Sequence, residues 1–148
     1  MFMDAYGPQA GYCNPMSDYL LAADIEEYIH DELKDSRYYS LLATKAPTQR
    51  ARDLLMEFSR DEQGHAENFM RAYFMLTGRM YTLQAMEPIE VPDYREALKV
   101  RILAETHDYR KYGEKYLIAC NRCLKDLFYM TRTVEAQHAM RIPLLMDE

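Results

Sequence analysis

RDEQGHAE, residues 60–67, lies within a long stretch of helical periodicity. It contains the motif Glu-x-x-His, which places Glu62 and His65 one helical turn apart on the same face. A carboxylate and an imidazole at this spacing can bind one metal ion. The motif alone is a weak signal: a further copy, Glu27 to His30, lies off the apolar stripe and is interpreted as solvated surface.

The motif becomes informative because the chain repeats it. Glu135 and His138 stand 73 positions after Glu62 and His65, and each Glu-x-x-His has another glutamate thirty positions before it, Glu32 or Glu105. The flanking residues repeat at the same offsets, with Arg37 and Tyr39 matched by Arg110 and Tyr112. The chain therefore reads as two copies of one helical hairpin, each with Glu on its first helix and Glu-x-x-His on its second.

Apolar periodicity and capping residues predict four helices. They span about 17–44, 48–77, 93–119 and 121–142, with Ser17 as the first N-cap, Gly78 just after the second helix and Pro143 ending the fourth. Residues 1–16 are predicted to be a flexible arm, and residues 17–148 a single bundle of two hairpins, 17–77 and 93–142. The connector 78–92 is long enough to cross the end of a bundle. The predicted fold is all-α, a ferritin-like antiparallel four-helix bundle with a long crossover between helices 2 and 3.

Four glutamates are predicted at mid-height on core-facing stripes. Ionised carboxylates there would repel one another, and each would cost several kcal/mol to desolvate. Two divalent cations balance four carboxylates and two neutral imidazoles, and this donor set suits iron or manganese, with zinc possible. Glu62 and Glu135 could bridge the ions. The predicted metal ligands are Glu32, Glu62, His65, Glu105, Glu135 and His138.

Two further groups are candidates for chemistry. Tyr39 and Tyr112 lie two turns beyond Glu32 and Glu105, and their hydroxyls could orient the carboxylates. Cys120 and Cys123 form a Cys-x-x-Cys at the predicted start of the fourth helix, where thiol pKa values are lowered. They are either a redox pair or a buried and a turn cysteine.

The composition limits the partners. A net charge of −6 argues against nucleic acid, which requires clustered Lys and Arg. No apolar run approaches the roughly 20 residues that span a bilayer, and the N-terminus does not resemble a secretory signal. Three cysteines do not indicate a disulfide framework, so a reducing cytoplasm is expected.

Residues 32–39 and 61–67 resemble the rubrerythrin branch of the ferritin-like di-iron superfamily, and the resemblance covers about residues 18–142. It implies two iron ions, a homodimer or larger oligomer, and reduction of hydrogen peroxide or dioxygen. A rubredoxin domain is not expected in this chain, so the resemblance implies an external electron donor such as a rubredoxin-type protein. The plain Glu-x-x-His on the fourth helix is closer to bacterioferritin-type and manganese-catalase-type sites.

Other functions stay open at the level of sequence. A manganese or mixed iron–manganese centre would favour catalase-like chemistry or oxygenation of an organic substrate. A ferroxidase or iron-handling protein would take up more than two ions per chain. A non-catalytic, metal-binding structural protein is suggested by the N-terminal arm.

Overall fold

The computed structural model describes residues 13–148, which form four α-helices and one short 3₁₀ helix, with no strand in that range. The predicted all-α four-helix fold is confirmed. None of the described helices is both long and apolar enough to cross a membrane. The helices are α1 (Pro15–Ala43), α2 (Gln49–Thr77), α3 (Tyr94–Ile118) and α4 (Arg122–Arg141), followed by the 3₁₀ helix Ile142–Leu145.

The helices pack as two hairpins. Short turns, residues 44–48 and 119–121, join α1 to α2 and α3 to α4, and these two pairs form the most extensive contacts of the bundle. A non-helical connector, residues 78–93, links the hairpins, and α2 also packs against α4. The two Glu-x-x-His helices therefore lie against each other.

Side chains cap the start of each α-helix. Thr48, Asp93 and Asn121 accept hydrogen bonds from backbone N–H groups in the first turns of α2, α3 and α4. The prediction of Ser17 as the first cap was wrong. Asn14 accepts from the N–H of Met16 at 3.0 Å, so α1 begins earlier and Ser17 lies in its first turn.

The helix ends follow the predicted signals closely. Gly78 has a left-handed backbone (φ 69°) and donates its N–H to the carbonyl of Phe74, which ends α2. At the far end, α4 stops at Arg141, and Pro143 lies within the 3₁₀ helix.

Two apolar clusters fill the core, one toward each end of the bundle. The residues between them along the helices are polar, so the predicted ligands occupy a middle layer closed by hydrophobic packing above and below. One cluster includes Ile25, Ile29, Phe69, Tyr112 and Phe128. The other includes Tyr39, Leu55, Phe58, Leu98 and Ile142.

The start of α1 is attached to the turn between α3 and α4. The buried carboxylate of Asp18 accepts from the N–H of Cys120 at 2.7 Å and from that of Asn121 at 2.6 Å. A disulfide joins Cys13 to Cys120 at the same place. The first twelve residues of the predicted arm lie outside the described residues.

Candidate metal centre

All six predicted ligands are brought together in the middle layer, one glutamate from each helix and one histidine from each of α2 and α4, and all six are buried. Their donor atoms form two overlapping groups, within which every atom lies within 4.8 Å of the others. Glu62 and Glu135 belong to both groups. One group adds Glu32 and His65, and the other adds Glu105 and His138.

His65 directs one ring nitrogen at three carboxylates. Its Nδ1 lies 3.1 Å from Glu62 Oε2, 3.2 Å from Glu135 Oε1 and 3.4 Å from Glu32 Oε2. The motif spacing places Glu62 and His65 on one face, and packing of α2 against α1 and α4 supplies the other two.

His138 uses its two nitrogens differently. Nε2 lies 2.9 Å from Asp61 Oδ2, so Asp61 fixes the tautomer in which Nε2 carries the proton. Nδ1 then faces inward, 2.9 Å from Glu62 Oε1 and 3.6 Å from Glu135 Oε2, without the geometry of a hydrogen bond. Burial opposes a charged His138, but Asp61 and the carboxylates around Nδ1 raise its pKa well above the ordinary value, so a metal bound at Nδ1 would displace a proton.

Several buried oxygen and nitrogen atoms of the cluster have no hydrogen-bond partner among the described residues. Folded proteins rarely leave buried polar atoms unpaired, because each one loses its hydration without compensation. Carboxylate oxygens and an imidazole nitrogen are the ligands that iron, manganese and zinc accept, so the residues fit two divalent ions. The unpaired atoms are Glu32 Oε2, Glu62 Oε1, Glu105 Oε2, both carboxylate oxygens of Glu135 and His138 Nδ1.

The charges of this layer are strongly coupled. Burial and the neighbouring Glu62 raise the pKa of Glu32 well above its usual range, and burial and Glu32 raise the pKa of Glu135 to about 8. Burial opposes a charged His65, yet the nearby carboxylates of Glu135, Glu32 and Glu62 raise its pKa to about 12. Without metal, the cluster therefore retains protons to offset its carboxylates.

The two tyrosines cross between the hairpins. Tyr39 of α1 donates its hydroxyl to Glu105 Oε1 of α3, and Tyr112 of α3 donates to Glu32 Oε1 of α1. Burial raises the pKa of both hydroxyls well above the ordinary value, so both stay neutral and act as donors. Each tyrosine thus reaches the glutamate of the other hairpin rather than that of its own helix.

The family model for rubrerythrin matches residues 25–146, more than three quarters of the chain and all six of these glutamates and histidines. The chain belongs to the rubrerythrin family. No curated protein and no protein of solved structure matches the sequence at a significant level. Membership of the rubrerythrin family and the buried carboxylate–histidine cluster together indicate a di-iron type of protein.

Two residues beside the rubrerythrin-type cluster were missed from the sequence. Asp61 supports His138, but the position equivalent to Asp61 in the second half is Val134. Arg101 is buried and donates to both Asp35 and Glu105, and its counterpart in the first half is Tyr28. The repeat indicates only residues that occur in both halves, and neither Asp61 nor Arg101 does. The sequence signal for Arg101 was its position one helical turn before Glu105.

Two acids beside the site, Asp35 and Asp108, occupy equivalent positions of the two halves. Asp35 pairs with Arg101, and burial raises the pKa of Asp35 to about 6 although Arg101 lowers it. Asp108 instead pairs with Lys111 at 2.9 Å.

The prediction that Cys120 and Cys123 form a redox pair was wrong. Cys120 is bonded to Cys13, which is 107 positions away, and Cys123 is a free, exposed thiol. Neither cysteine lies in the buried cluster. The Cys-x-x-Cys spacing was misleading, because the fold brings the residue before α1 to the turn that contains Cys120.

Proposed function

We propose that the chain is a di-iron oxidoreductase that reduces hydrogen peroxide or dioxygen. The observation that carries this proposal is the pair of overlapping donor groups sharing Glu62 and Glu135. Shared carboxylates hold two ions next to each other, and two adjacent one-electron donors match the two electrons that peroxide needs. Family membership supports the same reaction class.

In this proposal, Glu32 and His65 would hold one ion, Glu105 and His138 would hold the other, and Glu62 and Glu135 would be shared by both. Iron bound there would supply Lewis acidity and, from two ferrous ions, the two electrons that cleave the O–O bond. Each peroxide takes two electrons and two protons and gives two waters. An external donor, expected to be a rubredoxin-type protein, returns the electrons. The active form is proposed to be a homodimer.

Aromatic side chains pack against the centre on both sides. Phe58 packs its ring 4.2 Å from that of His138, and Tyr28, Phe69 and Phe128 surround Tyr112 on the other side. Because the hydroxyls of Tyr39 and Tyr112 stay protonated, they hold Glu105 and Glu32 in place rather than exchange protons. Exclusion of water strengthens every charge interaction inside the site.

The test begins with anaerobic reconstitution and elemental analysis. We expect two iron ions per chain, matching the two donor groups, and stoichiometric oxidation when reduced protein meets one equivalent of peroxide. The Glu62→Ala/Glu135→Ala variant should lose both. Glu67→Ala is the matched control, because Glu67 is an exposed acid on the same helix.

The outcome separates the competing functions. Oxygen release from peroxide by manganese-loaded protein would indicate catalase chemistry instead. Iron uptake well beyond the two-ion stoichiometry would indicate iron handling. Peroxide turnover that survives Glu62→Ala, or absence of bound metal after reconstitution, would overturn the proposal.

A further inference from the structure

The two halves of the centre differ in one buried cation. Arg101 has a side chain only 5% exposed, and it forms a two-pronged ion pair with Asp35, at 2.8 Å and 3.0 Å. Its Nη2 also donates to Glu105 Oε1 at 2.8 Å. The guanidinium packs on the ring of Tyr39, 4.7 Å from the ring centroid. Glu105 therefore accepts at the same oxygen from a neutral hydroxyl and from a full positive charge.

The other half has no equivalent contact among the described residues. The position equivalent to Arg101 is Tyr28, which packs edge-on against Tyr112, with ring centroids 5.3 Å apart. Tyr112 donates to Glu32. Lys111 bonds to Asp108 and lies 4.6 Å from the centroid of the Tyr112 ring, so its charge acts on Glu32 from a distance and not through a direct bond.

Asp61 is a charge that acts against Arg101 in its own half, since it bonds to His138. Its side chain is 37% exposed, so water screens its charge, whereas the side chain of Arg101 is almost fully shielded from water. Asp35 also offsets Arg101, but Arg101 is the residue in direct contact with Glu105. Arg101 is therefore the permanent positive charge that acts most directly on Glu105.

We infer that Arg101 is a positioning residue that makes the two irons unequal, by raising the reduction potential of the ion held by Glu105 and His138. This inference rests on the proposed di-iron function. Reduction of a ferric ion takes up one electron, so the site gains one negative charge. A buried cation beside a ligand of that ion stabilises the reduced state. The ion held by Glu32 and His65 has no such cation at its glutamate and keeps the lower potential.

The inference predicts opposite shifts for the two members of the ion pair. Arg101→Gln removes the cation and should lower the higher of the two potentials. Asp35→Asn removes the anion that partly offsets Arg101 and should raise it. A merely structural role would not produce shifts of opposite sign.

The experiment is a reductive titration of the iron-loaded full chain at pH 8, with a chemical reductant and mediators, followed by paramagnetic resonance of the form with one ferric and one ferrous ion. The largest amount of that form measures how far apart the two potentials lie. It should fall in Arg101→Gln, rise in Asp35→Asn, and stay near that of the unmutated chain in Arg101→Lys. Arg110→Gln is the control, because Arg110 lies on the same helix with a side chain 82% exposed.

Each outcome of this titration supports or overturns the inference about Arg101. Unchanged potentials in both Arg101→Gln and Asp35→Asn, or shifts of the same sign, would overturn the inference. If Arg101→Gln does not fold or load iron, the shifts of Asp35→Asn and Arg101→Lys decide it. If only this inference fails, the unmutated chain still binds two irons and reduces peroxide. If the unmutated chain binds no iron pair, both proposals fail.

Discussion

The first hairpin, α1 with α2, and the second, α3 with α4, carry the same pattern of three predicted ligands but are held together by different contacts. In the first hairpin, Ser36 and Ser59 each donate a hydroxyl to the other's backbone carbonyl, both at 2.7 Å. At the equivalent positions of the second hairpin, Arg132 donates to the hydroxyl of Tyr109. Helix packing accepts either solution, whereas a metal ion accepts few donor types. The repeat therefore persists at the predicted ligands and their tyrosines but is lost at this packing position.

The hairpins also anchor each other differently. The turn of the first hairpin holds the start of α3 through Lys45, whose ammonium donates to the carbonyls of Val91 and Pro92. The turn of the second holds the start of α1 through Asp18 and the Cys13–Cys120 disulfide. The contact between a hairpin turn and the start of the other hairpin is therefore exposed and polar in one case. In the other case it includes a covalent bond.

The largest effect is expected when the shared and the unshared predicted ligands are removed separately. Glu62→Ala or Glu135→Ala should lose both ions, because each carboxylate belongs to both donor groups. Glu32→Ala or Glu105→Ala should lose only one. Elemental analysis after identical reconstitution checks this. Equal losses from all four variants would mean that Glu62 and Glu135 are not bridges.

The covalent junction predicts the next largest effect. The disulfide closes a loop of 107 residues, and Cys13→Ser should lower the free energy of unfolding by up to about 4 kcal/mol. Urea unfolding of the metal-free protein measures it, and a reducing agent should have the same effect on the unmutated chain. Cys123→Ser, at an exposed free thiol, is the control and should change little. A Cys13→Ser chain as stable as its parent would show that the junction holds without the bond.

A pH experiment tests whether the two hairpins share their protons. Metal must displace protons from His65 of the first hairpin, whose pKa is raised to about 12, and from Glu135 of the second, whose pKa is raised to about 8. Affinity for zinc should therefore rise between pH 6 and pH 8, by about tenfold per unit for each proton released. Competition with a chelator at several pH values measures this, and a flat profile would contradict it.

The stability of the metal-free protein should change with pH in the opposite direction. A raised pKa means that the folded chain holds the proton more tightly than the unfolded chain does. The contribution of Glu135 is complete below about pH 4.5 and is lost as the pH rises to about 8. The contribution of His65 is complete below about pH 6.5 and is lost as the pH rises towards about 12. These two groups should make the metal-free protein less stable as the pH rises, while the stabilisation gained from metal grows.

The smallest predicted effect compares the two tyrosines. Tyr112→Phe removes the hydroxyl donor of Glu32, whereas after Tyr39→Phe the carboxylate of Glu105 still accepts from Arg101. Metal affinity should fall by about tenfold in Tyr112→Phe and by less in Tyr39→Phe. Chelator competition measures both variants, and Tyr129→Phe, at a half-exposed position, is the control. A larger loss in Tyr39→Phe would show that Arg101 does not hold Glu105.

The sequence by itself determined the helices, the hairpin repeat and the six residues of the buried cluster. Helix periodicity is local, and a repeated ligand pattern reveals itself by comparison of the chain with itself. Asn14 in place of Ser17 as the first cap was within the error of local signals, because both residue types cap helices well.

Only the tertiary structure decided which partners support the cluster. The crossed bonds from Tyr39 to Glu105 and from Tyr112 to Glu32 require the packing of α1 beside α3. Arg101 and the Cys13–Cys120 pair likewise depend on residues 66 and 107 positions apart in the chain. Such contacts leave no periodic trace, because they occur once and join elements whose distance in space is set only when the two hairpins close on each other.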